Sequence, residues 1–369
     1  MEEGVRLCQH RDTQTRSFIS TSERWSSTEN RYIDKAEDIL SFPALSFTDI
    51  MASGNPPSHY NLSQDQIDHF MQHGYVRLTE CFSREKAAKW TADVWTRLGY
   101  SSTDKSTWAT ERINMPEHRS EPVQTFAPKA WSAICELLGG EDRVAGHSAT
   151  WNDAFIVNLG TEESEGKWPH PSELNGWHVD GDFFTHFLDS PEQGLLVIPL
   201  FTDIKEHAGG TMVCSDAIKK IAQHLYDNPE GVSPYMVPRG QPDDQSGDFY
   251  DDIVKECHEF HEMTGNVGDV ILLHPLMLHS ASVNSLRIPR IITNPPVSLN
   301  APFNFDREDP SDYSIVERKT LQELGKDRLQ GWAIKRGREA VTPLRLQVQE
   351  RMKEQELKRL KTSLETPAV

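Results

Sequence analysis

From about residue 150 the chain breaks into short apolar runs separated by turn residues, and this constrains its architecture most. The runs are 154–159, 195–201, 210–213, 270–274 and 290–294. Each is too short for a buried helix and rich in Val, Ile, Leu or Phe, so the segment reads as the strands of a β-sandwich or barrel. One helix interrupts it between Asp216 and Asn228, turning Ile218, Ile221, Ala222 and Leu225 inward. The fold class is therefore mainly β with flanking helices, and the β core is expected over about 150–300.

A helical lead-in is expected over 63–140. Ser63 is an N-cap candidate for a helix carrying Ile67, Phe70 and Met71 and ending near Gly74, and the strand 75–78 follows. A second helix from Ser83 sets Ala87, Trp90, Val94 and Leu98 on one face before Gly99, and a third over 129–138 stops at Gly139-Gly140. Helices are again expected over about 313–362, packing on the outside of the β core, with Leu357 and Leu360 as apolar contacts and Glu354 pairing with Lys358. The acids Asp243, Asp244, Asp248, Asp251 and Asp252 read as a solvated loop, because they lack the Gly and Glu positions of a calcium loop.

Residues 1–57 are rich in Ser, Thr, Arg and Glu and close with Asn55-Pro56-Pro57, so they are expected to form a mobile extension ahead of a domain spanning 58–369. Met51 is a second candidate start. Lys plus Arg number 38 against 56 Asp plus Glu, a formal charge of −18, which argues against nucleic acid and against a polybasic membrane anchor. No run of about 18 apolar residues occurs. The five cysteines are widely spaced without a C-x-x-C pair, and with no secretory h-region and a Pro-Ala-Val terminus the expectation is a cytoplasmic protein.

The sharpest chemical signal is Trp177-His178-Val179-Asp180. In an extended segment residues i and i+2 share a face, so the His178 imidazole and the Asp180 carboxylate can converge on one ion. Alone the pattern is weak, since 15 histidines and 56 acids make such pairs common by chance. An ordered set strengthens it. Downstream, an apolar strand leaves Gly268-Asp269 and carries His274 and His279, followed by Arg287 and Arg290. Two His and one carboxylate with open adjacent positions is the arrangement of Fe(II) oxygenases, in which a chelating cosubstrate takes two positions and dioxygen the third. A buried guanidinium can grip a dicarboxylate by two parallel hydrogen bonds. Asp182 continues the alternation beyond Gly181 as a competing ligand. His170, His186 and His207 read as exposed loop histidines, and Arg112, His118 and Arg119 as a salt-bridged surface.

The segments "HGYVRL", "GWHVDGD", "EHAGGTMV" and "GDVILLHPLMLH", spread over about 63–294, resemble the phytanoyl-CoA dioxygenase family of Fe(II)- and 2-oxoglutarate-dependent oxygenases. The resemblance implies a double-stranded β-helix of the jelly-roll or cupin-like kind. It implies Fe(II) bound by His178, Asp180 and His279, with 2-oxoglutarate and dioxygen as cosubstrates. It places the cosubstrate arginine at Arg290 and a cosubstrate-bonding threonine at Thr211, and leaves His274 as a packing residue. The odd separation of His274 and His279 agrees, placing them on opposite faces of a regular strand. The chain departs from the family at Val213-Cys214-Ser215-Asp216, where many relatives read Pro-Gly-Ser-His, and at Ala281, where relatives often carry a hydroxyl. The implied activity is oxidation, by default hydroxylation, of an unactivated C–H bond in a small organic molecule. The competing readings are a noncatalytic ligand-binding sandwich and a zinc hydrolase using the same ligands.

Overall fold

Helix α1 (Gln64–His73) opens on a capping box. The Ser63 hydroxyl accepts from the Gln66 amide and Gln66 Oε1 accepts from the Ser63 amide, so two orphan donors of the first turn are satisfied. Strand β1 (Tyr75–Leu78) follows at once. In the computed structural model, residues 60–242, 248–343 and 345–365 are described. The expected extension over 1–57, the candidate start Met51, and the acids Asp243 and Asp244 lie outside them.

The second expected helix is two, α2 (Arg84–Thr91) and α3 (Val94–Leu98). The break falls at Ala92-Asp93, where the Asp93 carboxylate is held by Arg119 rather than left in a helix interior it favours poorly. Beyond the break α3 buries Arg97 together with Val94 and Leu98. Then come β2 (Arg112–Asn114), β3 (Ser120–Pro122), α4 (Val123–Phe126) and α5 (Pro128–Leu138), followed by β4 (Thr150–Asn152), β5 (Ile156–Asn158), β6 (Leu195–Pro199) and β7 (Thr211–Cys214). Helix α6 (Ala217–Asp227) buries Ile218, Ile221, Ala222 and Leu225 as its periodicity predicts. After it, α7 (Asp248–Lys255) stands where a solvated loop was expected. Its acids face water while Tyr250, Ile253 and Val254 are buried.

Strands β8 (Phe260–Met263), β9 (Val270–Leu273), β10 (Leu278–Ala281), β11 (Arg290–Ile292) and β12 (Pro296–Val297) complete the sheets, whose pairings are all antiparallel. One sheet runs β1-β9-β6-β12, a second β10-β7-β8 and a third β11-β5-β2, with β3-β4 as a separate pair. The segment expected as a helical lead-in thus supplies strands to two of the larger sheets. The fold is mainly β-sheet with flanking helices. Strands β6 and β9 are buried at every position, which explains why their sequences are unbroken apolar runs. Since β9 and β10 belong to different sheets, separated at residues 274–277, His274 and His279 do not share one regular strand as the parity argument assumed.

The C-terminal helices are α8 (Ile315–Glu323) and α9 (Arg345–Glu365), with no helix over 324–343. Helix α9 packs chiefly against α3 rather than on the β core. Its buried residue is Glu356, bonded to Arg97 and His118 at 2.9 and 2.8 Å, while Leu357 stays 51% exposed. The expected Glu354–Lys358 pair does not form. No helix among the described residues is long and apolar enough to cross a membrane.

Candidate metal centre and anion-binding arginine

His178 and His279 sit opposite each other on neighbouring extended segments. Each backbone N–H donates to the other's carbonyl at 3.0 Å, and the two rings lie 4.3 Å apart. The Asp180 carboxylate completes the cluster, its Oδ1 lying 3.3 Å from His178 Nε2 and 3.5 Å from His279 Nε2. Gly181 then turns the chain away at φ +123°, where a Cβ would meet the Phe184 ring at 2.5 Å, so only glycine fits. The His279 side chain is buried, that of Asp180 is 19% exposed and that of His178 is 48% exposed.

Both imidazoles are oriented alike. His178 Nδ1 lies 2.8 Å from the Gly176 carbonyl and His279 Nδ1 2.9 Å from that of Met277. A carbonyl only accepts, so each Nδ1 carries a proton and each Nε2 is turned toward the carboxylate. Lone pairs facing a carboxylate need a positive charge between them. Burial would lower the His178 pKa, but the bond and charge of Asp180 outweigh burial and raise it. Burial would raise the Asp180 pKa, yet the charge and bonds of His279 and His178 hold it far below the usual carboxylate range. A divalent cation meets the same requirement with two neutral nitrogens and one anionic oxygen, so the donor set fits iron. Asn294 Nδ2 donates to Asp180 Oδ2 at 3.4 Å, a contact the sequence did not reveal.

Arg290, on β11, is buried. Its Nε donates to the Gly209 carbonyl at 2.7 Å and its Nη1 to that of Ile156 at 3.3 Å. Among the described residues no carboxylate pairs with it. Burial foremost, and then the charge of Arg112, pull its pKa down to about 9, with Glu262 acting the other way. A buried cation with no counter-ion is a prepared place for an anion. Arg287 differs, being paired with Glu162 and Glu165 at 3.8 and 3.6 Å. Gly209 takes φ +76°, and a Cβ there would lie 2.6 Å from Asn158 Nδ2. Two residues on, Thr211 is buried and opposite Ala281 of β10, in a register that also sets Val213 opposite His279, so Thr211 and His279 share a sheet face.

The competing residues are engaged elsewhere. Both Asp182 oxygens bond Arg345, at 2.5 and 2.8 Å, and nearby the backbones of Phe183 and Thr185 pair with those of Val341 and Glu339. His274 is interior, bonded to Thr320 at 2.9 Å, and burial with the charge of Lys319 lowers its pKa to about 3. His170 and His207 are exposed as expected. His186 is not a loop histidine at the surface. It is buried, bonded to the Gly181 carbonyl at 2.8 Å, and held neutral by burial, its pKa lowered to about 4. Arg119 pairs with Asp93 and Asp153, and His118 with Glu356.

No protein-family profile and no curated protein matches the chain. Among solved structures it is similar to EctD from S. alaskensis with bound Fe, at 19% identity over 69% of this chain and 86% of that one, TM-score 0.39. It is similar to AviO1 from Streptomyces viridochromogenes Tue57 at 14% identity over 64% and 95%, TM-score 0.37. It is similar to HygX from Streptomyces hygroscopicus, solved with nickel, 2-oxoglutarate and hygromycin B, at 10% identity over 63% and 85%, TM-score 0.33.

Proposed function

We propose that residues 58–369 form an Fe(II)- and 2-oxoglutarate-dependent dioxygenase domain on a double-stranded β-helix, which oxidises, by default hydroxylates, an unactivated C–H bond of a small organic molecule. The observation that carries this reading is the pairing of two features. Two imidazole Nε2 atoms and one carboxylate oxygen converge, with both Nδ1 atoms tied to backbone carbonyls, and a buried arginine stands without a counter-ion among the described residues. A noncatalytic cavity or a zinc hydrolase has use for the first feature at most.

In this reading His178, Asp180 and His279 hold one Fe(II). The bound metal supplies dioxygen activation coupled to decarboxylation of 2-oxoglutarate to succinate. The chain's own residues position the participants. The carbonyls of Gly176 and Met277 fix each imidazole's tautomer and ring plane. Arg290, oriented by the Gly209 carbonyl, takes the cosubstrate's far carboxylate, and Thr211 adds a hydrogen bond to the same molecule. His178, the most exposed of the three, marks the side from which a substrate arrives. The antiparallel sheets, with consecutive β9 and β10 divided between two of them, support the β-helix reading. The net charge of −18 favours a small molecule over nucleic acid as the partner, and a cytoplasmic location is proposed with it.

The test is metal content and succinate formation. The chain loaded anaerobically should hold one Fe(II), and on exposure to oxygen convert 2-oxoglutarate to succinate, faster when a true substrate from a panel of small metabolites is present. Absence of turnover from an iron-loaded chain across conditions and substrates would reject the oxygenase reading.

A further inference from the structure

Outside the triad, a second group of metal-ligating side chains gathers where the edges of two sheets meet. Strands β1 and β8 are each the outer strand of their sheet, and the Tyr75 ring of β1 lies 5.6 Å from the His261 ring of β8. His73, in the last turn of α1, places its ring 5.3 Å from that of His261. Glu259 lies two residues before His261, and each of the three offers a ligand atom within 4.8 Å of the others. His73 Nδ1 and His261 Nε2 are buried with no hydrogen-bond partner, and the exposed Glu259 carboxylate has none among the described residues. His69 stands one helical turn before His73, their rings 4.7 Å apart. Two histidines four residues apart on one helix face form a spacing that chelates a metal.

We propose that His73, Glu259 and His261 form a second binding site, for a divalent transition cation of the zinc type, that staples α1 and β1 to β8. Two imidazoles and a carboxylate are borderline ligands suited to Zn(II), with the fourth position open to water or to His69 after a side-chain rotation. The site shares no residue with the triad, and β8 lies two strands from β10, roughly 10 Å across the sheet. The Cys214, Asp216 and Cys257 group is a weaker candidate, because both thiols already have acceptors in Asp216 and the Ile253 carbonyl.

The experiment uses the full chain and Zn(II) as the probe. A His178→Ala/His279→Ala background removes the triad. By equilibrium dialysis this chain should hold one Zn(II) and melt at a higher temperature with it, and adding His261→Gln or His73→Gln should abolish both effects. No zinc in the triad-less chain, or zinc that survives both added substitutions, overturns the site. Should those variants fold poorly, Glu259→Gln at the exposed ligand in the otherwise natural chain should weaken the second zinc by at least about tenfold, a loss no smaller than outer-shell changes produce. The metal-free melting temperature should not move. Unchanged zinc affinity in that variant equally overturns the proposal.

Discussion

On the proposed reading, Arg290→Lys should separate cosubstrate binding from metal binding. The guanidinium is already committed through Nε to the Gly209 carbonyl at 2.7 Å and through Nη1 to Ile156 at 3.3 Å, which aims its remaining N–H groups rather than using them up. A lysine keeps a charge but offers no planar fork, so one of two charge-assisted hydrogen bonds to the dicarboxylate is lost, a cost of about 1.5–3 kcal/mol. That corresponds to a rise of roughly 10- to 150-fold in the 2-oxoglutarate requirement. A second signature follows from the surroundings. Burial and Arg112 already bring the arginine down to about 9. Lysine starts from a lower ordinary value, so the same surroundings leave it easier to deprotonate. The variant loses its charge at a lower pH than the parent, and its 2-oxoglutarate requirement should climb more steeply as pH rises. The assay is succinate formation against 2-oxoglutarate concentration at several pH values, with Fe(II) content measured alongside. Iron loading should stay near one per chain. An unchanged cosubstrate requirement, or the same defect confined to Arg287→Lys, would refute the argument.

Asp180→Ala should lose both iron and succinate formation, whereas Asp182→Ala should keep iron, because Asp182 is occupied by Arg345 in a half-exposed pair worth at most about 1 kcal/mol; iron retained by the first variant and lost by the second reverses the ligand assignment. Glu356→Gln removes the charge that Arg97 and His118 share in a buried setting, and should cost about 1–3 kcal/mol while loosening α9 to limited proteolysis; an unchanged melting temperature and cleavage pattern would sink it. His274 is held neutral, its pKa lowered from 6.5 to about 3, so below pH 6.5 the unfolded chain takes up a proton that the folded chain refuses. Its contribution is present above that value and fades toward pH 3, by up to about 5 kcal/mol. His274→Gln should therefore flatten the acid limb of stability against pH, and identical slopes would contradict it.

What the sequence disclosed about the fold was local. The Ser63 N-cap, the apolar stripe of α6 and the five strand runs from residue 154 onward rest on neighbours within a few positions, and each stands near its expected place. What it concealed depends on distant charges. The α2/α3 break goes with an ion pair between Asp93 and Arg119, and α9 docks through Glu356, which reaches Arg97 259 positions away. A buried carboxylate in a highly charged helix looks like any solvated one until its partner is known. Helix α7 was hidden differently, its acids masking the stripe of Tyr250, Ile253 and Val254.

The candidate site divides along the same line. His178 and Asp180 could be paired from the period of two, and the orienting bond of each histidine is equally local, since both Nδ1 atoms reach the carbonyl two residues back, at Gly176 and Met277. Parity failed for His274 and His279, because the chain leaves one sheet and joins another between them. Spacing alone also could not separate Arg287 from Arg290. Glu162 and Glu165, which neutralise Arg287, come from a loop more than 120 positions earlier, and no carboxylate among the described residues does the same for Arg290. On the proposed reading, what separates two arginines three residues apart is therefore which one the described residues leave unneutralised.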